Sequence, residues 1–370
     1  MRSRHRGRLK NLLINLSLTV TALLMMILIC EEILRIFPLS ARIGWNRIPT
    51  IAQRIAKFSK KVGRRIVCLG DSLIEWRAGE AVNMLDRTQK TLKGCAVLNL
   101  GRSGADVGQY IATYHKYIND RPDMILIFIY MGNDIRKYPS LSDISKPSFA
   151  PDDMKQDWKG ILKRKSVLLS LAFRLLKRYV PSMRSGFFAR NVKTLQVQAG
   201  LSDEFIHARE RQIDHRIIEL AKSDTINPWI PSTGMVFPLY YKDLFSMCSQ
   251  EAISSVDNTL NLIMDFYREQ QIKHFGVVLI PECIQVSTLA DSFFEKSGFK
   301  LNDFPLDERR RITIYMQKQL ESAGIKTIDL TTALEKDSNT YIELDTHLNA
   351  KGHRIAADAI VRLINSELSD

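Results

Sequence analysis

Cysteine is scarce in this chain, and acidic side chains are almost missing from its first seventy residues. The 370 residues include five cysteines, Cys30, Cys68, Cys95, Cys248 and Cys283. They are odd in number and show no C-x-x-C spacing, which argues against both a disulfide framework and a structural zinc site. Cys68 and Cys95 lie in apolar, strand-like runs and read as small buried hydrophobes. Internal repeats and low-complexity segments are also lacking. Hydrophobic residues at 45% and charged residues at 25% are ordinary globular values, so disorder is excluded and one large domain or two small ones is expected.

Between Met1 and Gly70, fourteen Lys and Arg stand against only Glu31 and Glu32, so +12 of the formal net charge of +13 sits there. A body so close to neutral argues against a nucleic-acid partner, because tracking a phosphate backbone needs basic residues spread over a folded face. The basic arm instead flanks an apolar run. Leu12 to Cys30 is nineteen residues without a charge, enough at ~1.5 Å per residue to cross a hydrocarbon core of ~30 Å. A cleaved signal peptide would have a shorter apolar core and small residues before the cut, whereas Leu28 and Ile29 precede Cys30, Glu31 and Glu32. The same bulky pair argues against a lipoprotein. Five Lys/Arg before the run and Arg35, Arg42 and Arg47 after it favour an N-terminus in the cytoplasm. The expected order is a basic cytoplasmic segment at 1–11, a transmembrane signal-anchor at 12–30, a basic stalk at 31–64 that either lies on anionic headgroups or is merely solvated, and an extracytoplasmic domain at 65–370.

In that domain short apolar runs bounded by Gly, Pro, Asn or Asp alternate with helical patterns, the mark of a parallel sheet with crossover helices. Five strands are expected: Arg65 to Leu69, Ala96 to Leu100, Met124 to Tyr130, Phe275 to Ile280 and Thr327 to Leu330, each buried on both faces. Helices are expected at about Glu80 to Leu92, Val107 to Ile118, Ser254 to Glu269, Leu306 to Ala323 and Ala350 to Leu363, the fourth ending at Gly324. The gap at about 135–250 is too long for one crossover and reads as a helical insertion, with stretches at Trp158 to Tyr179 and Asp203 to Ser223. It is either a lid over the strand ends or a second packing layer.

A doubly wound sheet places its site just past the carboxyl ends of its strands. Gly70-Asp71-Ser72 follows the first strand, Asn99 to Gly104 the second and Gly132-Asn133-Asp134 the third, and Asp345-Thr346-His347 precedes the last helix. A serine hydroxyl becomes a useful nucleophile when an imidazole removes its proton and a carboxylate fixes the imidazole tautomer. Ser72, His347 and Asp345 supply those groups. The backbone N–H groups of Ser72 and Gly104 and the Asn133 amide would form an oxyanion hole, with Gly104 chosen for close approach to substrate.

In these blocks the chain resembles the SGNH hydrolase superfamily, the GDSL esterases and lipases, whose marker Ser, Gly, Asn and His fall at Ser72, Gly104, Asn133 and His347. The resemblance covers about Arg65 to Asp370 apart from the insertion. It implies a flavodoxin-like three-layer α/β/α domain with a central five-stranded parallel sheet, an acyl-serine intermediate, and neither metal nor other cofactor. One departure stands out. The family acid usually lies three residues before the histidine, where this chain has Leu344; Asp345 is two before and Glu343 four before.

Other polar residues have plainer readings. Asp71, Asp134 and Asn349 suit loop formation, and His353 suits a helix start. His115, His207, His215 and His274 lack partners at metal-ligand spacing, and Lys163, Arg164 and Lys165 read as a solvated face. The expected function is a membrane-anchored serine esterase acting on O-acyl groups, above all O-acetyl groups, of an envelope glycan or lipid. Two alternatives are an O-acyltransferase passing the same acyl group to a sugar hydroxyl, and a tethered binding or assembly protein without turnover. Neither the acyl chain length nor an oligomeric state is legible.

Overall fold

The computed structural model describes residues 51–59, 63–75, 83–135, 186–223, 225–337 and 339–369, with a few positions between 19 and 33. Five strands form one parallel sheet: β1 Arg64–Leu69, β2 Cys95–Asn99, β3 Met124–Tyr130, β4 His274–Ile280 and β5 Lys326–Asp329. Their spatial order is β2-β1-β3-β4-β5, the order of the flavodoxin-like doubly wound folds. Each strand lies within one residue of its expected place. The apolar runs of the inner strands are hidden on both faces, from Ile66 in β1 and Phe275 in β4, and all seven residues of β3 are buried. Burial of every strand was expected, and the edges depart from it. β2 alternates buried and half-buried residues and β5 has no buried residue, because an edge strand lacks a neighbour on one side. Cys68 is buried in β1, while Cys95, at the start of β2, is half-buried.

Two hydrophobic cores lie against the sheet, one per face, giving three layers. Alternation along β1 divides them: Val67 and Leu69 face one core, Ile66 and Cys68 the other. The second core takes α1 (Met84–Thr91), and the first takes α2 (Val107–Tyr117), α3 (Gln250–Gln270) and α4 (Arg311–Ser322); α5 (Ala350–Leu368) closes the second. Asp106 starts α2 with a capping box, and Asn349 caps α5 by accepting from the N–H groups of Lys351 and Gly352. The helix expected over Leu306 to Ala323 is two pieces, Leu306–Arg309 and α4, parted at Arg310. Gly324 follows at φ 79°, the left-handed conformation that terminates helices.

The helical stretch expected at Trp158 to Tyr179 lies outside the described residues. Asp203 to Ser223 is two helices, Asp203–Glu210 and His215–Lys222, because Asp214 caps a new start. Phe187–Ala199, Trp229–Val236 and Tyr240–Ser246 complete the described insertion. Its Phe188, Val192, Ile217, Leu244 and Phe245 continue the first core, so this part is a packing layer.

Most of the Leu12 to Cys30 run lies outside the described residues. Those that are described, including Met25 to Cys30, are helical, and Met25, Met26, Leu28 and Ile29 are more than half exposed. Among the described residues no helix is long and apolar enough to cross a membrane. The stalk needs correction. Within 31–64, Ile51–Phe58 is a helix that packs on the first core: Phe58 is buried beneath the Arg65 guanidinium at 5.2 Å, and Ile51 and Ile55 are half-buried. Basic residues at Arg54 and Lys57 masked this amphipathic face. If the helix belongs to the domain, Phe58→Ala should lower the urea-unfolding free energy by about 3 kcal/mol; a change below about 0.5 kcal/mol would return the segment to a peripheral stalk.

Candidate active site

β1 lies between β2 and β3, so the loop after β1 is flanked on one side by the loop bearing Gly104 and on the other by the turn bearing Asn133. Ser72 opens the short helix Ser72–Glu75 directly beyond β1. Asp71 shapes that turn, its Oδ1 accepting from the Leu73 N–H at 2.8 Å. The Ile74 carbonyl is held from both sides, by Asn83 Nδ2 at 2.7 Å and Asn99 Nδ2 at 2.6 Å. Gly104 adopts φ 72° with nothing near its Cβ position, so left-handed backbone explains the glycine without appeal to crowding. Asn133 is half-buried in the turn after β3. The Asp134 carboxylate closes that turn by accepting from the Tyr130 N–H at 2.7 Å.

His347 arrives from the loop before α5. Its Nε2 lies 2.9 Å from Ser72 Oγ, and its Nδ1 lies 2.8 Å from Asp345 Oδ1. With Asp345 accepting from Nδ1–H, Nε2 is left bare toward the serine hydroxyl. The short spacing between acid and histidine is accommodated at Leu344, whose φ of 59° is left-handed, a conformation costing roughly 1–2 kcal/mol in a residue with a Cβ. Around it the Ile342 N–H donates to the His347 carbonyl at 2.9 Å and the Asp345 N–H to the Ile342 carbonyl at 3.2 Å. Glu343 is exposed, and Asp345 occupies the imidazole nitrogen that either acid would need.

Burial pushes the Asp345 carboxyl up. The hydrogen bond and charge of His347, with the backbone N–H groups of Thr346 and His347, outweigh it and hold Asp345 below the ordinary carboxylate range. Burial likewise pushes His347 down, yet the Asp345 hydrogen bond and charge, with the charges of Asp71 and Glu282, raise it above the ordinary imidazole value. Two further carboxyls at the strand ends behave in the opposite way. Burial lifts Asp71 to about 6 and Asp134 well above its ordinary value, the second also through the Asp71 charge. Ser72 Oγ is 3.2 Å from Asp71 Oδ2, so the nearer acceptor for its proton is His347. His353, inside α5, is buried and pushed down to about 4 by burial, then by the His347 and Arg87 charges.

Glu282 was missed by sequence reasoning. It directly follows Pro281 at the end of β4, the same strand-end position that marked the other loops, and that polar residue was the available signal. It is fully buried, accepts from the Tyr130 hydroxyl, and lies 3.4 Å from the Tyr241 hydroxyl of the insertion. Its other oxygen accepts from the Cys283 N–H at 3.0 Å. Gly132 gives it room, since a Cβ there would meet Glu282 Oε2 at 2.2 Å. Glu282 thus ties the Asn133 turn to the insertion.

No protein-family model matches the chain, and no curated protein matches it. Among solved structures it is similar to a lipase/acylhydrolase from Enterococcus faecalis, at 14% identity and a TM-score of 0.38 over 82% of this chain and 96% of that one. It is also similar to an acetylxylan esterase from Geobacillus stearothermophilus, at 14% identity and a TM-score of 0.37 over 82% and 94% of the two chains. A member of the lipolytic G-D-S-L family from Veillonella parvula is 12% identical with a TM-score of 0.35, over 81% and 97%. At such identities and scores the likeness carries no argument about chemistry.

Burial lifts the Glu282 carboxyl from 4.5 to about 7. Between those values the folded state keeps a proton that the unfolded chain has released, so stability falls as pH rises through this window and levels off above it. The fall from this one group is on the order of 3 kcal/mol. Glu282→Gln keeps an acceptor for both tyrosines and removes the titration. Its urea-unfolding free energy should therefore drop less between about pH 5 and about pH 8 than that of the unaltered chain. Equal drops would mean that Glu282 titrates normally.

Proposed function

We propose that the chain is a serine esterase of the SGNH type. The single observation that carries this reading is the continuous relay from Asp345 through His347 to Ser72, with 2.8 Å and 2.9 Å links. In the proposed reaction Ser72 Oγ attacks an acyl carbonyl while His347 Nε2 takes its proton. Asp345 fixes the tautomer and stabilises the imidazolium. The N–H groups of Ser72 and Gly104 and the Asn133 amide receive the oxyanion. His347 then returns the proton to the leaving alcohol, and water releases the acyl group from Ser72 by the same base.

The chain is further proposed to be anchored in the cytoplasmic membrane by residues 12–30, N-terminus inside, with the catalytic domain outside. An uncharged nineteen-residue run, the surplus of Lys and Arg before it and the exposed apolar side chains of Met25 to Ile29 support this. A tethered enzyme meets envelope glycans and lipids, so O-acyl groups, foremost O-acetyl groups, of such a molecule are the proposed substrates. The same acyl-serine serves a transferase, and acylated sugar forming faster than free acid in the presence of a glycan acceptor would select that reading.

The full chain in detergent should hydrolyse a short-chain activated ester, and a fluorophosphonate should label Ser72 with loss of fluoride; equal labelling of Ser72→Ala would refute the nucleophile. Asp345→Asn should cut kcat on the order of 10³-fold or more, while Glu343→Gln leaves it nearly unchanged; the reverse would move the orienting role to Glu343. The rise of kcat/KM with pH should lie above the ordinary imidazole value of 6.5 and shift to lower pH in Asp345→Asn, because the neutral amide no longer favours the imidazolium.

A further inference from the structure

We propose that Arg54 and Glu75 are positioning residues of this site: their ion pair locks the loop bearing Gly104 onto the helix bearing Ser72 and so sets the nucleophile against the oxyanion donor. The proposal rests on the esterase reading above and goes beyond it in assigning a catalytic contribution to the segment that precedes β1.

Arg54 comes from the helix Ile51–Phe58 and reaches across the carboxyl ends of β1 and β2. Its Nη1 donates to the Asn99 carbonyl at 2.9 Å, the Gly101 carbonyl at 3.0 Å and Asn99 Oδ1 at 3.4 Å, and its Nη2 donates to Glu75 Oε1 at 3.1 Å. Glu75 is the last residue of the nucleophile helix. Its other oxygen, Oε2, accepts from the Ser103 N–H at 2.6 Å and the Ser103 hydroxyl at 2.7 Å. Ser103 is the residue immediately before Gly104. One guanidinium and one carboxylate therefore join the helix that begins at Ser72 to the loop whose next N–H is the proposed oxyanion donor.

The loop needs such a lock. Beyond β2 its backbone ties to β1 and the turn after it are the Leu100 N–H to the Cys68 carbonyl at 2.8 Å and the Arg102 N–H to the Gly70 carbonyl at 2.9 Å. Ser103 and Gly104 are exposed, and Gly104 has the freedom of a residue without a Cβ. Contact below the lock is close: a Cβ on Gly101 would come within 2.9 Å of the Glu75 nitrogen and 2.5 Å of Ile74 Cγ1. Only a planar fork with several donors serves this set of acceptors at once; a lysine ammonium would keep the Glu75 charge and lose most of the carbonyls. The side chains of Arg54 and Glu75 are 11% and 15% exposed, so water screens the pair little. The donors of an oxyanion hole act through position, and a displacement of about 1 Å costs up to ~100-fold in rate. The helix that holds the site is also the first described element after the proposed anchor.

The test uses the full chain in detergent with Arg54→Met, Arg54→Lys, Glu75→Gln and the double variant Arg54→Met with Glu75→Gln. Active sites are counted by fluorophosphonate titration, so kcat is expressed per labelled Ser72. A boronic acid serves as the tetrahedral probe: Ser72 Oγ bonds to boron, its proton goes to His347, and the boronate oxygen sits where the oxyanion would. Arg54→Met and Glu75→Gln should each lower kcat per site by about 10- to 100-fold with KM nearly unchanged, and weaken the boronic acid in parallel. Arg54→Lys should fall between, and the double variant should be no worse than the singles, because the two residues act as one unit. Unchanged kcat per labelled site overturns the proposal, as does a loss that appears only as fewer labelled sites, which is the signature of a purely structural role. A KM increase at constant kcat overturns it as well. If the unaltered chain takes no label, the esterase reading itself fails and the clamp's role goes with it; a labelled chain with indifferent variants overturns the clamp alone.

Discussion

The chemistry proposed for this protein depends on one hydrogen bond, His347 Nε2 to Ser72 Oγ, which joins residues 275 positions apart. Neither side chain has chemistry to offer without the other. The parallel sheet makes the meeting possible, because parallel strands deliver all their carboxyl ends to one edge and the crossover helices return the chain each time to the opposite edge. β1, between β2 and β3, carries Ser72 into the middle of that edge, while the loop before α5 brings His347 over it. The sheet is the scaffold and the loops are the site.

The buried carboxyls at this edge show how one environment yields two behaviours. Asp71, Asp134 and Glu282 are raised by burial because the hydrogen-bond donors around them, with the His347 charge near Asp71, do not offset the loss of water. Asp345 is held down because His347 and two backbone N–H groups favour its charged form. The one carboxyl of this set held below its ordinary range is thus the one aimed at the imidazole. Separation of this kind is how a single site assigns distinct roles to chemically similar groups.

Much of this was legible in the sequence, for definite physical reasons. The inner strands had to be apolar on both faces, so β1, β3 and β4 stand out as uninterrupted runs, and Asp71, Ser72 and Asn133 stand out as polar residues at the ends of β1 and β3. His347 was legible because it stands two residues after Asp345, just before the last helix, in the place of the family's marker histidine. What escaped was decided by tertiary contacts. Arg54 looked like one more cation of a membrane stalk, since nothing local shows that its partners are Asn99, Gly101 and Glu75. Glu282 escaped because the tyrosines that surround it, Tyr130 and Tyr241, lie far away along the chain. Leu344 gave no sign of a left-handed residue, a conformation imposed by the need to bring Asp345 back to Nδ1. The breaks at Arg310 and Asp214 arise where apolar periodicity continues but a new helix starts.

The claim at the centre is that Ser72 carries the acyl group between alcohol release and its final transfer. Acid quenching during steady turnover of an activated ester, followed by mass analysis of the peptides, tests it directly. The account predicts the mass of one acyl group on the peptide containing Ser72, formed at the rate of the first burst of alcohol and absent from Ser72→Ala. An acyl group on another residue, or turnover that survives undiminished in Ser72→Ala, would contradict it.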